Sequence, residues 1–242
     1  KYDGLLHLGR VKVTSRADYS SRYDINVMGT RNLLQLAQKY KIPNIVVMST
    51  FHVYGADKLN PYHLTEEDPL RAGKNTEEIS DFIELDHAAS TFMWKHPDIK
   101  TVILRPCNVV GKKVNNAITN LLRGPFCPSV MGYDPLMQFI HETDLADAII
   151  ASLKAKRSGI YNVAGEGVVQ LSKAIELAGS KALPVPSVLL YPAVATLSHP
   201  ANPFPKHLVS YIRYATVISD DAFRRDFTFQ PRMTTVEALR RI

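Results

Sequence analysis

Asn44-Ile45-Val46-Val47-Met48-Ser49 is a near-continuous apolar run closed by a hydroxyl, and how it is read decides the fold. A strand with one wet face alternates polar and apolar residues, so an unbroken run belongs to a parallel strand covered on both faces. The flanks supply the covers. Upstream, between about Asp18 and Tyr40, apolar residues fall at Ile25, Met28, Leu33, Leu36, Ala37 and Tyr40, the spacing of one helical face. Gly29 lies on that face as a point of close packing, and Pro43 closes the segment. Before it, Tyr2-Asp3-Gly4-Leu5-Leu6-His7-Leu8-Gly9 reads as a buried strand. Downstream, residues 55–76 are rich in Pro, Asn, Asp and Gly and form a long loop, of a kind more often functional than decorative. A second helix is expected over about Glu77 to Lys95 from apolar positions Ile79, Phe82, Leu85, Ala89, Phe92 and Met93, and Thr101-Val102-Ile103-Leu104 is the third strand. Strand, helix, strand, helix, strand with short links gives a right-handed, doubly wound parallel sheet of the α/β class.

After Gly111 the elements shorten. A helix near Asn115 to Arg123 comes first, then a strand near Leu136 to His141 and a helix from Thr143 to Ala155. Ile160-Tyr161-Asn162-Val163-Ala164 is a further strand, followed by a helix near Val169 to Ala178 and a Pro-punctuated final third. The 242 residues, 45% hydrophobic, suffice for a sizeable core. Cys107 and Cys127 are the only cysteines. They make neither a disulfide framework nor a metal-ligand spacing and read as two buried thiols in a reducing cytoplasm.

Leu183 to Leu197 is the longest apolar neighbourhood. It contains Pro184, Pro186 and Pro192 and falls short of the roughly 20 apolar residues of a spanning helix, so stable membrane insertion is not expected. Peripheral association through Pro184 to Leu197 is the weakest of the readings. A net charge of +6 suits an anionic partner. The basic pairs Lys112-Lys113, Lys156-Arg157, Arg224-Arg225 and Arg240-Arg241 are scattered and lack interleaved aromatics, which argues against nucleic acid. The chain opens on Lys1 without the pattern of a secretory signal, and its natural N-terminus is expected further upstream.

Four motifs follow in fixed order. His7-Leu8-Gly9 closes a strand, Asn26-x-x-Gly29-Thr30 lies on the next helix, Ser49-Thr50-x-x-Val53-Tyr54-Gly55 follows the next strand, and Leu104-Arg105-Pro106-x-Asn108-Val109-Val110-Gly111 follows the third. A fifth is Phe139-Ile140-His141-x-x-Asp144-Leu145-Ala146. Together, over at least residues 2–165, they resemble the extended short-chain dehydrogenase/reductases, the NAD-dependent epimerase/dehydratase family that includes UDP-glucose 4-epimerase. The resemblance implies a Rossmann-like sheet lacking its N-terminal strands, with a smaller C-terminal α/β substrate domain. Residues 1–112 would form the C-terminal half of the dinucleotide-binding domain. Residues 113–242 would form mainly the substrate domain, with a segment at about 136–165 returning to the core sheet.

The resemblance also implies NAD or NADP as cofactor and a nucleotide-sugar or other sugar-type small molecule as partner; the sequence leaves a homodimer open. By it, His7, Leu8, Gly9, Asn26, Ser49 and Pro106 lie against the cofactor, since ligands of open parallel sheets sit beyond the carboxyl ends of the strands. Thr50 matches the catalytic hydroxyl that hydrogen-bonds the reacting oxygen. Asn108 and His52 join Thr50 on the substrate side. Residue by residue, plainer roles stand beside these: Thr50 as a strand-end cap, His7 as a satisfied imidazole, Asn26 as a bridge between helix and sheet, and Asp144 as a first-turn acid favoured by the helix dipole.

Two departures follow. The Gly-rich fingerprint that cradles a pyrophosphate is nowhere in the chain. In the family the His-Leu-Gly strand is the fourth, so three βα units are expected before Lys1, at roughly 30 residues for each complete unit; a sheet that began at this strand would expose a long edge. The second departure lies in the helix at 77–95, where the family carries Tyr-x-x-x-Lys and a Glu four residues later. Registered on Leu104-Arg105-Pro106, those positions are Phe82, Asp86 and Ser90. Tyr54 and Lys58 have the right spacing but the wrong setting, a loop. Substitute proton carriers are sought among Glu84, Asp86, His87 and His52, with Glu84 and Asp86 read first as exposed helix charge. An active enzyme with an atypical site is one expectation. A non-catalytic dinucleotide-binding sensor, scaffold or subunit on the same fold is the other.

Overall fold

The computed structural model describes residues 2–11, 18–72, 79–189 and 207–242. In chain order its main elements are β1 (Leu5–His7), α1 (Tyr19–Tyr23), a π-turn (Asp24–Met28), α2 (Gly29–Lys39), β2 (Asn44–Met48), a 3-10 turn (Phe51–Tyr54), α3 (Ser80–Lys95), β3 (Lys100–Pro106) and β4 (Asn108–Val110). Then come α4 (Ala117–Arg123), β5 (Phe126–Val130), β6 (Leu136–Met137), β7 (Phe139–His141), α5 (Glu142–Lys154), β8 (Gly159–Val163), β9 (Val169–Gln170), α6 (Leu171–Leu177) and β10 (Lys181–Val185). The chain closes with α7 (Leu208–Tyr211), α8 (Asp221–Phe227) and α9 (Thr235–Leu239).

Strands β1, β2, β3 and β8 form one parallel sheet in that order. Its two faces explain the unbroken apolar runs. Ile45, Val47 and Ile103 point to one side, where they pack with Leu34 and Ala37 of α2 and Leu85, Ala89 and Phe92 of α3. Val46, Val102 and Leu104 point to the other, where Ala148 and Ile149 of α5 cover them. Successive side chains of a strand alternate between faces, so a strand with helices on both sides has no position left for a polar residue. The second cluster runs on without a break through Val110, Leu122, Phe139, Ile140, Leu171 and Phe223 to Leu239. The segment after residue 112 therefore packs on the same core as the sheet. Among the described residues, no helix is long and apolar enough to cross a membrane. Both cysteines are free and buried. Residues 190–206, which include most of the Pro-rich stretch, lie outside the described residues.

Helix α3 buries the expected face: Ile79, Phe82, Leu85, Ala89, Phe92 and Met93 are all buried. The segment before β2 does not. Ile25, Met28, Leu36 and Tyr40 are exposed, at 54%, 40%, 47% and 68%, while Arg22, Asn26, Val27, Thr30, Leu34 and Ala37 face inward. The reason is chemical. Arg22, Asn26 and Thr30 lie four residues apart on one side, and each has a partner waiting inside, in Asp81, in Val11 and Asp81, and in His7. Gly29 makes no close approach either; a Cβ there would meet only the Asp24 carbonyl, at 3.7 Å.

The long loop is also anchored. Leu64 forms a parallel bridge with Ile218, through Leu64 N–H to Val217 O and Ser219 N–H to Leu64 O, both 2.8 Å. Gly55, at φ 80°, starts it; a Cβ there would stand 3.0 Å from Ala72 N in a backbone conformation L side chains rarely adopt.

Asp86 overturns its expectation as exposed helix charge. It is fully buried and takes a two-pronged pair from Arg105, Nη2 to Oδ1 at 2.7 Å and Nε to Oδ2 at 2.9 Å, with the Ser49 hydroxyl donating to Oδ2 at 2.5 Å. Glu84 does lie on the exposed side, 3.6 Å from Arg31. Removing one member of a buried pair strands the other charge in the core. Asp86→Ala should therefore cost about 3–5 kcal/mol in denaturant unfolding, whereas Glu84→Ala should change stability by less than about 0.5 kcal/mol.

Candidate active site

The carboxyl ends of β1, β2 and β3 open onto one crevice, and each expected site residue can be placed against it. His7, the last residue of β1, is half-buried, with Nε2 2.7 Å from Thr30 Oγ1. The Thr30 hydroxyl gives its own proton to Asn26 O, at 2.6 Å, so His7 Nε2–H is the donor in this pair. Burial lowers the His7 pKa and favours the neutral ring. Leu8 and Gly9 follow on the exposed turn.

Asn26 and Ser49 differ from the expected cofactor contacts. Asn26 is 1% exposed; its Oδ1 accepts from Val11 N–H, and its Nδ2 donates to Val11 O and to Asp81 Oδ2. Ser49 is buried with its hydroxyl on Asp86. Asn26 thus clamps the turn after β1 to α3, and Ser49, its hydroxyl proton given to Asp86, clamps β2 to α3.

Thr50 caps the 3-10 turn after β2. Its Oγ1 shares a 2.8 Å hydrogen bond with His52 Nδ1 and accepts a longer one, 3.4 Å, from His52 N–H. The His52 carbonyl is held by the Tyr211 hydroxyl at 2.7 Å, and its ring stands edge-on to Tyr211 at 4.7 Å and to His207 at 6.0 Å. Burial among these rings, reinforced by the charges of His207 and Arg10, drives the His52 pKa well below the ordinary histidine value. Asn108, at the start of β4, donates from Nδ2 to Gln138 O at 3.1 Å. Gln138 in turn pairs with the Ile218 backbone through both its amide atoms. Pro106 ends β3.

Thr50, His52, Pro106 and Asn108 line one cavity of about 120 Å³, together with Arg10, Cys107, Asn116 and Leu208. Phe82 lies just beneath: the Arg10 guanidinium carbon is 4.5 Å from its ring centroid. Arg10 and Leu208 were missed in the sequence. The first is a lone cation in a turn, and the second lies far from any motif. Asp86 sits beside Arg105, a turn further along α3 from Phe82 and away from this cavity. Tyr54 is buried in the same polar cluster, its hydroxyl donating to Asn162 Oδ1 and accepting from Arg105 Nη1, and burial pushes its pKa up to about 12. Asp144, in the first turn of α5, accepts from Met233 N–H and so ties down the C-terminal segment. Among the described residues no group of three His, Cys, Asp or Glu side chains could hold a metal ion.

Parallel strands whose carboxyl ends converge on a polar crevice define a doubly wound α/β protein, a class whose ligands sit beyond the strand ends. Comparison with known proteins is more specific. Residues 1–164 match the model of the NAD dependent epimerase/dehydratase family, and the chain belongs to that family. An uncharacterised protein of Mycobacterium tuberculosis is 29% identical over 98% of the chain and 64% of its own length. UDP-glucose 4-epimerase 1 of rice is 28% identical over 76% of the chain and 61% of its own length. The chain thus spans somewhat under two thirds of these relatives. Among solved structures, the NAD complex of dTDP-glucose 4,6-dehydratase from Bacillus anthracis superposes with a TM-score of 0.73 at 20% identity, over 99% of this chain and 70% of that one. The NAD complex of UDP-glucose 4-epimerase from Thermus thermophilus also gives 0.73, at 19% identity, over 99% and 76%.

The depressed His52 pKa fixes a sign for stability against pH. Between the two values the unfolded chain carries a proton on His52 that the folded chain refuses, so stability rises with pH there and falls as pH drops through about 6.5. Thermal unfolding midpoints measured from about pH 7.5 to about pH 5.5 should fall less steeply for His52→Phe than for the parent protein.

Proposed function

We propose that this chain is the larger part of an NAD- or NADP-dependent enzyme acting on a nucleotide-sugar or related sugar, with an unorthodox acid/base in its active site. The observation that carries the reading is the convergence of Thr50, His52, Pro106 and Asn108 on one cavity. They come from two separate strand ends, and Thr50, Pro106 and Asn108 stand where the resemblance puts site residues.

The crevice fits the nicotinamide half of a dinucleotide. Leu8 stands 47% exposed, and a Cβ on Gly9 would meet nothing within 4 Å, so the turn after β1 leaves open space on which a flat ring can lie. His7-Leu8-Gly9 and Pro106 would flank it. When bound, the cofactor supplies the means to take a hydride from a sugar carbon and return it. The protein's own part is the proton. With His52 held neutral, Nδ1 can accept a hydrogen bond from the Thr50 hydroxyl, which orients Thr50 Oγ1 to accept one from a substrate hydroxyl. Asn108 keeps Oδ1 free of hydrogen bonds among the described residues, as a contact for the sugar requires.

The family's Tyr-x-x-x-Lys pattern is read here one turn earlier than the sequence alone suggested. Asp86, buried on Arg105, suits the acid that follows the pair by four residues, not a cation beside a ribose. Phe82, beneath the crevice, then takes the Lys position. Phe82 has neither a proton nor a charge to offer, and this one substitution favours the second reading, a non-catalytic dinucleotide-binding protein.

Turnover of a panel of UDP- and dTDP-sugars by the full-length protein tests both. Thr50→Ala should lower turnover by about 100-fold or more while Thr50→Ser keeps most of it. Absence of turnover across the panel with NAD still bound would sink the enzyme reading and leave the binding one; absence of both would sink the pair.

A further inference from the structure

We propose that Arg10 grips the ligand of this crevice by an anionic oxygen pair, either a pyrophosphate or a carboxylate. The proposal deepens the nucleotide-sugar reading and rests on it. Arg10 follows directly on His7-Leu8-Gly9, beyond the carboxyl end of β1, and lines the same cavity as Thr50, His52 and Asn108. Among the described residues that line that cavity none carries a carboxylate, so the guanidinium is their one unopposed full charge. The buried Asp81 acts on Arg10 from beyond ion-pair range and is itself engaged by Arg22 and Asn26.

Several other arginines of the protein are occupied. Arg105 holds Asp86, Arg157 holds Asp226, Arg224 holds Asp220, Arg232 holds Asp147, and Arg123 donates to three backbone carbonyls. Arg10 makes no hydrogen bond or ion pair with any described residue; its contact is the Phe82 ring, 4.5 Å away. That contact has a use. A guanidinium seated on an aromatic face is held in place by cation–π attraction. Its N–H donors lie in its own plane, a fork that matches two oxygens of a carboxylate or phosphate. Phe82 thus serves as a platform, and the cation that the family delivers from α3 arrives from the β1 turn.

The test uses full-length protein, unsubstituted and as Arg10→Gln and Arg10→Lys, titrated calorimetrically with NADH, UDP-glucose and UDP-glucuronic acid at low and physiological salt. Unfolding midpoints of the variants are measured alongside, so that loss of binding is read from folded protein only. Arg10→Gln should weaken at least one ligand by about tenfold and flatten its salt dependence, and Arg10→Lys should recover part of the loss. Loss confined to NADH assigns the dinucleotide pyrophosphate, equal loss for both sugar nucleotides assigns theirs, and loss for UDP-glucuronic acid alone assigns the sugar carboxylate. Affinities within twofold of the parent for every ligand it binds overturn the proposal and leave the nucleotide-sugar reading standing. A parent protein that binds none of the three overturns both.

Discussion

The pair between Arg105 and Asp86 holds the crevice in shape. It joins the end of β3 to the middle of α3, recruits Ser49 from the end of β2, and through Tyr54 and Asn162 reaches the 3-10 turn and β8. Two charges in a core are costly unless every lone pair and proton finds a partner. Here a guanidinium fork, a carboxylate, two hydroxyls and an amide satisfy one another, and Arg105 also reaches the Glu66 carbonyl in the long loop. The strand ends are thereby fixed relative to α3 by directional bonds where apolar packing alone would let them slide. Thr50, one residue past Ser49, inherits its position from that constraint.

Much of the fold was legible because two periodicities were clean. β2 and β3 read as doubly covered strands, and α3 showed its buried face residue for residue. The helical stretch before β2 misled for a definite reason. Its inward stripe opens with Arg22, Asn26 and Thr30, polar side chains that go inside because Asp81, Val11 and His7 meet them there. A pattern of apolar residues alone cannot register partners that lie distant in sequence. The π-turn at Asp24–Met28 adds to the difficulty by breaking the helical repeat in mid-segment.

The candidate site was half legible. Thr50 could be named from its place after a strand and Pro106, Asn108 and His52 as what the resemblance implies, and the structure gathers all four on one cavity. Asn26 and Ser49 belong to the same motifs but serve the scaffold, since their polar atoms are engaged within the protein. Asp86 looked like surface charge because its partner, Arg105, lies 19 residues away on a different element. Arg10 had no motif at all, and what marks it out is the company it keeps: a ring below it and a cavity whose described lining holds no carboxylate.

The tie between Leu64 and Ile218, and the Tyr211 hydroxyl on the His52 carbonyl 159 residues away, have a bearing on how the protein is made. A chain emerging from the ribosome can assemble β1, β2, β3 and their helices early. The other wall of the crevice comes from Leu208 and Tyr211, far along the chain. Until residues 208–218 have been synthesised, His52 lacks the tyrosine that pins its backbone, and the loop after Gly55 lacks its partner strand. Contacts of such sequence separation form late and close slowly. A chain whose residues 208–218 are not yet in place would thus carry a sound sheet with an open, unformed pocket, so that ligand binding reports on the docking of that segment as well as on the chemistry of the site.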